Sequence, residues 1–217
     1  MLLPSALLLA AAFALPTGPP AEVHDLAQAV DNHYNHLKTL RADFTEIYRG
    51  AGMERTESGI LLLKKPGKMR WEYRSPKGKL FLSDGQTAWF YVPGDQQVRK
   101  TPARKLDDLR SPLAFLLGKT KLEKELQGLS PAPDVKPLAP GDVVLRGVPK
   151  ALGDQVTEIV LEVTPENLIA RIIVEGTDGA VTEYRLSNQE ENVQLADGQF
   201  RFSPPPGTEV IDENFGQ

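Results

Sequence analysis

Hydrophobic and polar residues alternate most regularly between Gly59 and Tyr91. Here Met69, Trp71 and Tyr73 are separated by single charged residues. Because successive side chains of a strand point to opposite faces, this segment is predicted to be a strand with one apolar and one solvated face. Turn sequences containing Pro or Gly separate it from its neighbours. The stretch between Gly59 and Tyr91, which we call the central stretch, is therefore predicted to form four antiparallel strands: Ile60–Lys64, Met69–Arg74, Lys79–Ser83 and Thr87–Val92.

The rest of the pattern predicts helices before and after this stretch. Apolar residues at helical spacing predict a helix over Glu22–Leu40. Ser111-Pro112 is typical of a helix start, and Leu122–Leu126 is expected to add a short helical segment. The segment Gly128–Gly141 contains four prolines and is predicted to be an irregular crossing loop.

Further short apolar segments, bounded by turn residues, are candidates for the remaining strands, and we expect a sheet of about eleven strands in all. They are Ala42–Arg49, Gln96–Lys100, Asp142–Arg146, Gln155–Thr164, Leu168–Glu175, Val181–Ser187, Val193–Leu195 and Gln199–Ser203.

The start of the chain has the features of an export signal. Residues 1–14 form an apolar run that ends in small residues, which is typical of a signal peptide and too short for a membrane span. We expect cleavage after Ala14 or after Ala21, and one domain over residues 22–217. The chain has no cysteine. An exported form would therefore depend on core packing without disulfides, and it could not carry a lipid on an N-terminal cysteine.

Motifs for catalysis are lacking in the sequence. It has no thiol nucleophile, no Gly-x-Ser-x-Gly motif and no glycine-rich phosphate loop. His24, His33 and His36 all lie on the predicted first helix. His33 and His36 could share a metal ion, but histidines on the polar face of a surface helix are the more common case. We therefore predict no catalytic residue, no metal site and no cofactor.

The charge pattern does not favour a nucleic-acid partner. The net charge is -4, and alternation separates Trp71 and Tyr73 from the neighbouring arginines, so base stacking and phosphate contacts would fall on opposite faces. Several lysines lie around the turns of the central stretch. They are typical of a solvated face with protected turns, and a surface for anionic headgroups or a partner is the alternative.

The apolar face of the predicted sheet allows two interpretations. An open sheet with an apolar face under helices can enclose a cavity for hydrocarbon chains, where each buried CH₂ contributes about 0.8 kcal/mol. The same residues could instead fill an ordinary core between the sheet and the helices. The pattern alone leaves both interpretations open.

Three motifs in the central stretch resemble the LolA family, the periplasmic carriers that take lipoproteins from the inner to the outer membrane. They are Gly59-x-Leu61-x-Leu63-x-Lys65-Pro66, Met69-Arg70-Trp71-Glu72-Tyr73 and Ser83-Asp84-Gly85-x-Thr87-x-Trp89-x-Tyr91-x-Pro93. The similarity extends to Phe44-Thr45-Glu46, Ser111-Pro112 and Phe200-x-Phe202-x-Pro204-Pro205.

The resemblance implies a mainly β (α+β) fold: an unclosed antiparallel half-barrel with a helical lid over a hydrophobic cavity. It implies a monomeric periplasmic carrier of acylated lipoproteins that needs no cofactor. An inner-membrane ATP-driven lipoprotein-releasing complex would load it, and an outer-membrane lipoprotein acceptor would unload it. Since that acceptor is itself a lipoprotein, the absence of cysteine favours the carrier. The alternative function is a sensing or regulatory module of the same fold that binds lipids or lipoproteins.

The resemblance also implies the site. The expected acyl-chain-binding residues are Leu61, Leu63, Met69, Trp71, Tyr73, Leu82 and Trp89 on the cavity wall, with Leu113, Phe115, Leu116 and Leu117 on the lid. Where both faces of a strand are apolar, alternation does not assign the face. The family commonly has an arginine latch to the lid where this chain has Lys65, which lacks the planar fork of arginine.

Overall fold

The computed structural model describes residues 21–103, 121–150 and 154–212. The first part contains helix α1 (Ala21–His36) and six strands: β1 (Thr39–Gly50), β2 (Met53–Lys64), β3 (Lys68–Ser75), β4 (Leu80–Asp84), β5 (Thr87–Tyr91) and β6 (Gln97–Pro102). The second contains α2 (Leu122–Glu125), β7 (Leu126–Pro131) and β8 (Val143–Pro149). The third contains β9 (Val156–Val163), β10 (Ile169–Gly176), β11 (Val181–Glu191), a 3₁₀ helix (Asp197–Phe200) and β12 (Glu209–Asp212).

The twelve strands of the described residues belong to one sheet, in the order β12-β6-β5-β4-β3-β2-β1-β11-β10-β9-β8-β7. The two end strands do not pair with each other, so the sheet is unclosed, and the predicted half-barrel is confirmed. The number of strands also agrees with the prediction of about eleven. One detail differs from the predicted antiparallel sheet: β12 pairs with β6 in parallel, because the chain after β11 crosses back over the sheet before it forms β12.

The longest hairpin joins β1 and β2 and lies at the middle of the sheet. Pairing runs without a shift from Thr39 with Lys64 to Gly50 with Met53. The two turn residues, Ala51 and Gly52, have φ values of 51° and 73°. Positive φ at both central positions matches the right-handed twist of the strands, so two residues are enough to connect them.

The end of one helix, the start of one loop and two predicted strands differ from the prediction. Helix α1 ends at His36 and not at Leu40, because Leu40 already pairs with Leu63 on β2. The predicted loop Gly128–Gly141 begins later than expected, since β7 continues to Pro131 and pairs with β8. The predicted strands Val193–Leu195 and Gln199–Ser203 are not strands. Residues 192–203, which we call the C-terminal strap, cross one face of the sheet without joining it.

Within the three described ranges, no helix has the length and hydropathy needed to cross a membrane.

Candidate functional site

The backbone pairing divides the strand residues between two faces. Directly paired residues of antiparallel strands point to the same face. Trp71 pairs with Leu61 on β2 and with Phe81 on β4, and we call their side the inner face and the opposite side the outer face. The apolar residues of the inner face include Leu40, Ala42, Phe44, Leu61, Leu63, Met69, Trp71, Tyr73, Phe81, Phe90, Leu145, Ile159, Leu161, Ile172, Tyr184 and Leu186.

An aromatic cluster stands at the centre of the inner face. The ring of Phe44 lies 4.6 Å from that of Trp71 and 4.9 Å from that of Tyr73, in edge-to-face geometry. Such pairs contribute about 0.5–1.5 kcal/mol beyond the area that they bury. Gly59 makes this packing possible, because a Cβ there would lie 2.8 Å from the Phe44 ring and 2.0 Å from the Glu72 carbonyl oxygen. Trp71 is only 2% exposed.

Helix α1 packs on part of the inner face. Its apolar side, which consists of Val23, Ala27, Val30 and Tyr34, belongs to the same core as the sheet residues, and Leu37 directly after the helix belongs to it too. The Tyr34 hydroxyl accepts a hydrogen bond of 3.0 Å from the Ile169 amide, and burial raises the pKa of that hydroxyl. Asp31 accepts a hydrogen bond of 3.1 Å from the Leu122 amide at the start of α2. Helix α1 is therefore attached to the sheet side by specific polar contacts as well as by apolar packing.

Lys65, the expected latch residue, also contacts α1. Its Nζ donates a hydrogen bond to the Tyr34 carbonyl in the last turn of the helix. Carbonyls in the last turn of a helix lack intrahelical partners and carry negative partial charge, so an ammonium group is a suitable donor. Burial lowers the pKa of Lys65. Within the described residues, the Lys65 ammonium group is thus bonded to α1.

A row of charged groups ends the apolar part of the inner face. Glu46 on β1 pairs with Glu57 on β2, and Lys79, directly before β4, contacts the Glu57 carboxylate. Lys79 Nζ lies 4.1 Å from the centroid of the Tyr73 ring, a favourable cation–π position. The Tyr73 hydroxyl donates to Glu46 Oε2 at 2.8 Å. We call Glu46, Glu57 and Lys79 the charged row.

Two of the residues expected on the cavity wall lie on the outer face. Leu82 pairs with Arg70 and with Trp89, and Arg70 pairs with Leu62. All four therefore point away from Trp71, so the placement of Leu82 and Trp89 beside Trp71 is wrong. The reason is that β4 and β5 are apolar on both sides, and only the pairing determines which side faces inward.

The C-terminal strap covers the outer face at these positions. Leu195 and Phe200 pack against Leu62. The ring of Phe202 lies 5.9 Å from that of Trp89. Polar contacts hold the strap in place: Lys64 donates to the Leu195 carbonyl at 2.7 Å, and Asp197 lies 2.9 Å from Lys64 and 2.8 Å from Lys68. The two lysines lower the pKa of Asp197 to about 2.

The remaining expected residues divide into two groups. Leu61, Leu63, Met69, Trp71 and Tyr73 lie together on the inner face. The expected lid residues Leu113, Phe115, Leu116 and Leu117 lie outside the described residues. Two half-buried inner-face aromatics, Phe81 and Phe90, were missed by sequence reasoning. The signal that could have identified them was the strand pairing, because each pairs across the sheet with the other and Phe81 pairs with Trp71.

The three histidines lie on α1, as predicted, and two of them contact acidic residues. His24 Nδ1 lies 2.9 Å from Glu123 of α2, and His33 Nε2 lies 2.6 Å from Glu191 of β11. The hydrogen bond to Glu123 raises the pKa of His24. Among the residues that the structure describes, no group of three or more His, Cys, Asp or Glu could hold a metal ion.

Two open clefts flank the end of α1. The larger, of about 700 Å³, is bordered by His36, Lys64, Lys65 and the start of the strap. The smaller, of about 430 Å³, lies between His33, Asn167 and Glu191. Both are at the end of the sheet where β1 begins and β2 ends, which is opposite to the end occupied by the charged row.

Comparison with known proteins identifies relatives over most of the chain. The family model described as "Outer membrane lipoprotein carrier protein LolA" matches residues 35–203. The chain is similar to the outer-membrane lipoprotein carrier protein of Nitrosospira multiformis, with 32% identity over 183 residues that cover 82% of this chain and 84% of that protein. It is also similar to the protein of the same name from Chromobacterium violaceum, with 31% identity over 206 residues that cover 94% and 96% of the two chains.

A solved structure shares the fold at low sequence identity. It is that of an uncharacterized conserved protein from Thermus thermophilus, with a TM-score of 0.56, 12% identity, and coverage of 88% of this chain and 99% of that one.

Proposed function

This chain belongs to the LolA family of outer-membrane lipoprotein carrier proteins, and we propose that its inner face receives the acyl chains of the lipoproteins that it carries. Such a carrier shields acyl chains from water between two membranes, and it is not an enzyme. A sensing module of the same fold is not favoured, because the curated relatives bear the carrier name.

The observation that carries the proposal is the continuous apolar inner face on an unclosed sheet. An unclosed sheet can separate from the helices that cover it without breaking its own pairing, so its apolar face can accept a ligand. Each CH₂ group buried there would contribute about 0.8 kcal/mol. The proposed contact residues are Leu61, Leu63, Met69, Trp71, Tyr73 and Phe81, with Leu113, Phe115, Leu116 and Leu117 as the proposed lid.

Opening requires that the covering helices leave the inner face. In this proposal Lys65 is a latch: its bond to the Tyr34 carbonyl holds α1 down when no cargo is bound. Cargo would compete with the apolar side of α1 for the same sheet residues. Loading would therefore require breaking the Lys65 bond, and the energy would come from the loading complex and from acyl-chain burial.

The proposed partners and location follow from the carrier role. Acylated lipoproteins are the cargo, an inner-membrane ATP-driven lipoprotein-releasing complex loads the carrier, and an outer-membrane lipoprotein acceptor unloads it. The carrier acts in the periplasm as a monomer, after a signal peptide over residues 1–14, or up to residue 21, has been removed.

A release assay tests the proposed function. Purified protein spanning residues 22–217 is incubated with spheroplasts that contain a native loading complex, and the soluble fraction is analysed for lipoproteins bound to it. We expect soluble complexes with an acylated cargo and none with an unacylated version of the same cargo. If the folded protein releases no acylated cargo, the carrier proposal is wrong.

A further inference from the structure

The inner face of β1, β2 and β3 is arranged in rows that run across the strands. Directly paired residues form each row, and the rows follow one another at two-residue intervals. From the end near Lys65 they are Leu40, Leu63 and Met69; then Ala42, Leu61 and Trp71; then Phe44, Gly59 and Tyr73; and then Glu46 and Glu57. Three apolar rows are thus followed by one that carries charge.

The charge in the fourth row is buried and internally satisfied. Glu57 is 6% exposed and Lys79 is 8% exposed, and the two form an ion pair. Arg55, one row further along β2, reaches the other Glu57 oxygen at 3.1 Å. Glu46 accepts the hydrogen bond of the Tyr73 hydroxyl. The row therefore has a definite arrangement, in which each of its three members has a partner.

Packing a hydrocarbon chain against the charged row is unfavourable, so the favourable contacts end where the apolar rows end. Buried charged groups are stable only while their hydrogen bonds and ion pairs are intact. A methylene group pressed into the row would have to separate Lys79 from Glu57 or from the Tyr73 ring, and it would offer no hydrogen bond in return. A methylene group in the first three rows meets only apolar side chains and the Gly59 backbone.

We propose that the charged row is the stop that limits how far an acyl chain extends along the inner face, and so sets the chain length that this carrier prefers. The inference rests on the proposed function and adds a specificity determinant to it. From Leu40 to Phe44 the apolar rows span about 13 Å, given the rise of about 3.3 Å per strand residue. The chain enters from the end near Lys65, where the two open clefts lie, and its terminal methyl group halts at Tyr73.

Affinity as a function of chain length tests the stop. The probes are synthetic lipopeptides with an acylated cysteine whose chains range from about eight to about twenty carbons, and their Kd values are measured from the change in tryptophan fluorescence. Each further CH₂ should improve wild-type affinity about fourfold, equivalent to about 0.8 kcal/mol, until the chain reaches the row. Beyond that length the affinity should stay level or fall.

A double variant, Glu57→Met with Lys79→Met, removes the ion pair as a unit. Both residues are changed because removal of one partner would leave an uncompensated buried charge. In this variant the affinity should keep increasing with chain length for at least two carbons beyond the length at which wild-type affinity levels off. The affinity for the longer probes should therefore be about tenfold higher or more than that of wild type. The matched control is Arg41→Met with Glu190→Met, an ion pair on the outer face, which should leave the wild-type profile unchanged.

The outcomes separate the two proposals. If wild-type protein binds no probe of any length, the carrier proposal is wrong. If it binds and its affinity keeps rising up to the longest probe, the stop is wrong, and this result does not depend on whether the double variant folds. A folded double variant, verified by circular dichroism, that levels off at the same length as wild type would also overturn the stop.

Discussion

Replacing Lys65 by methionine tests whether this side chain holds α1 on the sheet. Methionine keeps the apolar stem but has no donor for the Tyr34 carbonyl. A hydrogen bond from a charged donor contributes about 1.5–3 kcal/mol. Because Lys65 is only half-buried, we take the lower end of that range, about 1.5 kcal/mol, which corresponds to a little over tenfold in an equilibrium constant. The population in which α1 is detached should rise by that factor.

Native-state hydrogen exchange of the α1 amides measures this population. In the Lys65→Met protein, amides between Val23 and Tyr34 should exchange about tenfold faster than in wild type, whereas those of β9 should not change. The same variant should release acylated cargo to an acceptor at a different rate, if the bond acts as the proposed latch.

The neighbouring lysine provides the control. Lys64 has the same stem, but it lies on the outer face and bonds the strap through the Leu195 carbonyl and Asp197. Lys64→Met should accelerate exchange in the strap and leave α1 as in wild type. The reasoning is refuted if Lys65→Met leaves α1 exchange unchanged, or if both variants accelerate it equally.

Three further predictions concern the faces and the charged contacts. Phe81→Ser should weaken binding of a tripalmitoyl lipopeptide about tenfold or more, while Trp89→Ser should change the affinity less than about threefold, because Phe81 shares the inner face with Trp71 and Trp89 does not. Equal losses of affinity in a fluorescence titration would contradict the assignment of faces. The Glu123 contact raises the pKa of His24, so the contribution of this contact to stability is complete below pH 6.5 and is lost as the pH rises through the raised pKa. An NMR titration of the His24 ring should give a pKa above 6.5 that returns towards 6.5 in Glu123→Gln, and an unshifted pKa in wild type would contradict the contact. Lys64 and Lys68 lower the pKa of Asp197 to about 2, so the stabilisation of the strap by this carboxylate is complete above about pH 3.8 and is lost as the pH falls towards 2. The rate of amide hydrogen exchange in the strap of Asp197→Asn should therefore differ from wild type at pH 5 and converge with it near pH 2, and a difference that stays constant with pH would argue against the ion pairs.

Sequence reasoning predicted the architecture because its signals were local. The alternation of Met69, Trp71 and Tyr73 with charged residues determined the faces of β3, and the pairing confirms that these three share one side. Turn sequences containing Pro or Gly separated this strand from its neighbours. The family motifs lie in the same stretch, so the resemblance and the pattern supported each other.

The errors arose where the information is not local. In Leu80–Leu82 and Ala88–Phe90 both faces are apolar, so alternation carries no direction, and Leu82 and Trp89 were placed with Trp71. The apolar residues of the strap resemble strand residues, yet they pack against Leu62 with their backbone unpaired to the sheet. The charged row could not be predicted from sequence either, since Glu46 lies on β1, Glu57 on β2 and Lys79 directly before β4, and strand pairing brings them together.

The place of β1 in the sheet has a consequence for the way in which the protein acquires its structure. β1 is central, and one of its neighbours is β11, so that Leu40 of β1 pairs with Glu191 near the other end of the chain. Contacts of such long range are slow to form, because the closure entropy of the intervening chain opposes them. During synthesis, which starts at the N-terminus, one edge of β1 therefore stays unpaired until almost the whole chain has been made. The sheet can therefore be completed only after synthesis of the chain is nearly finished.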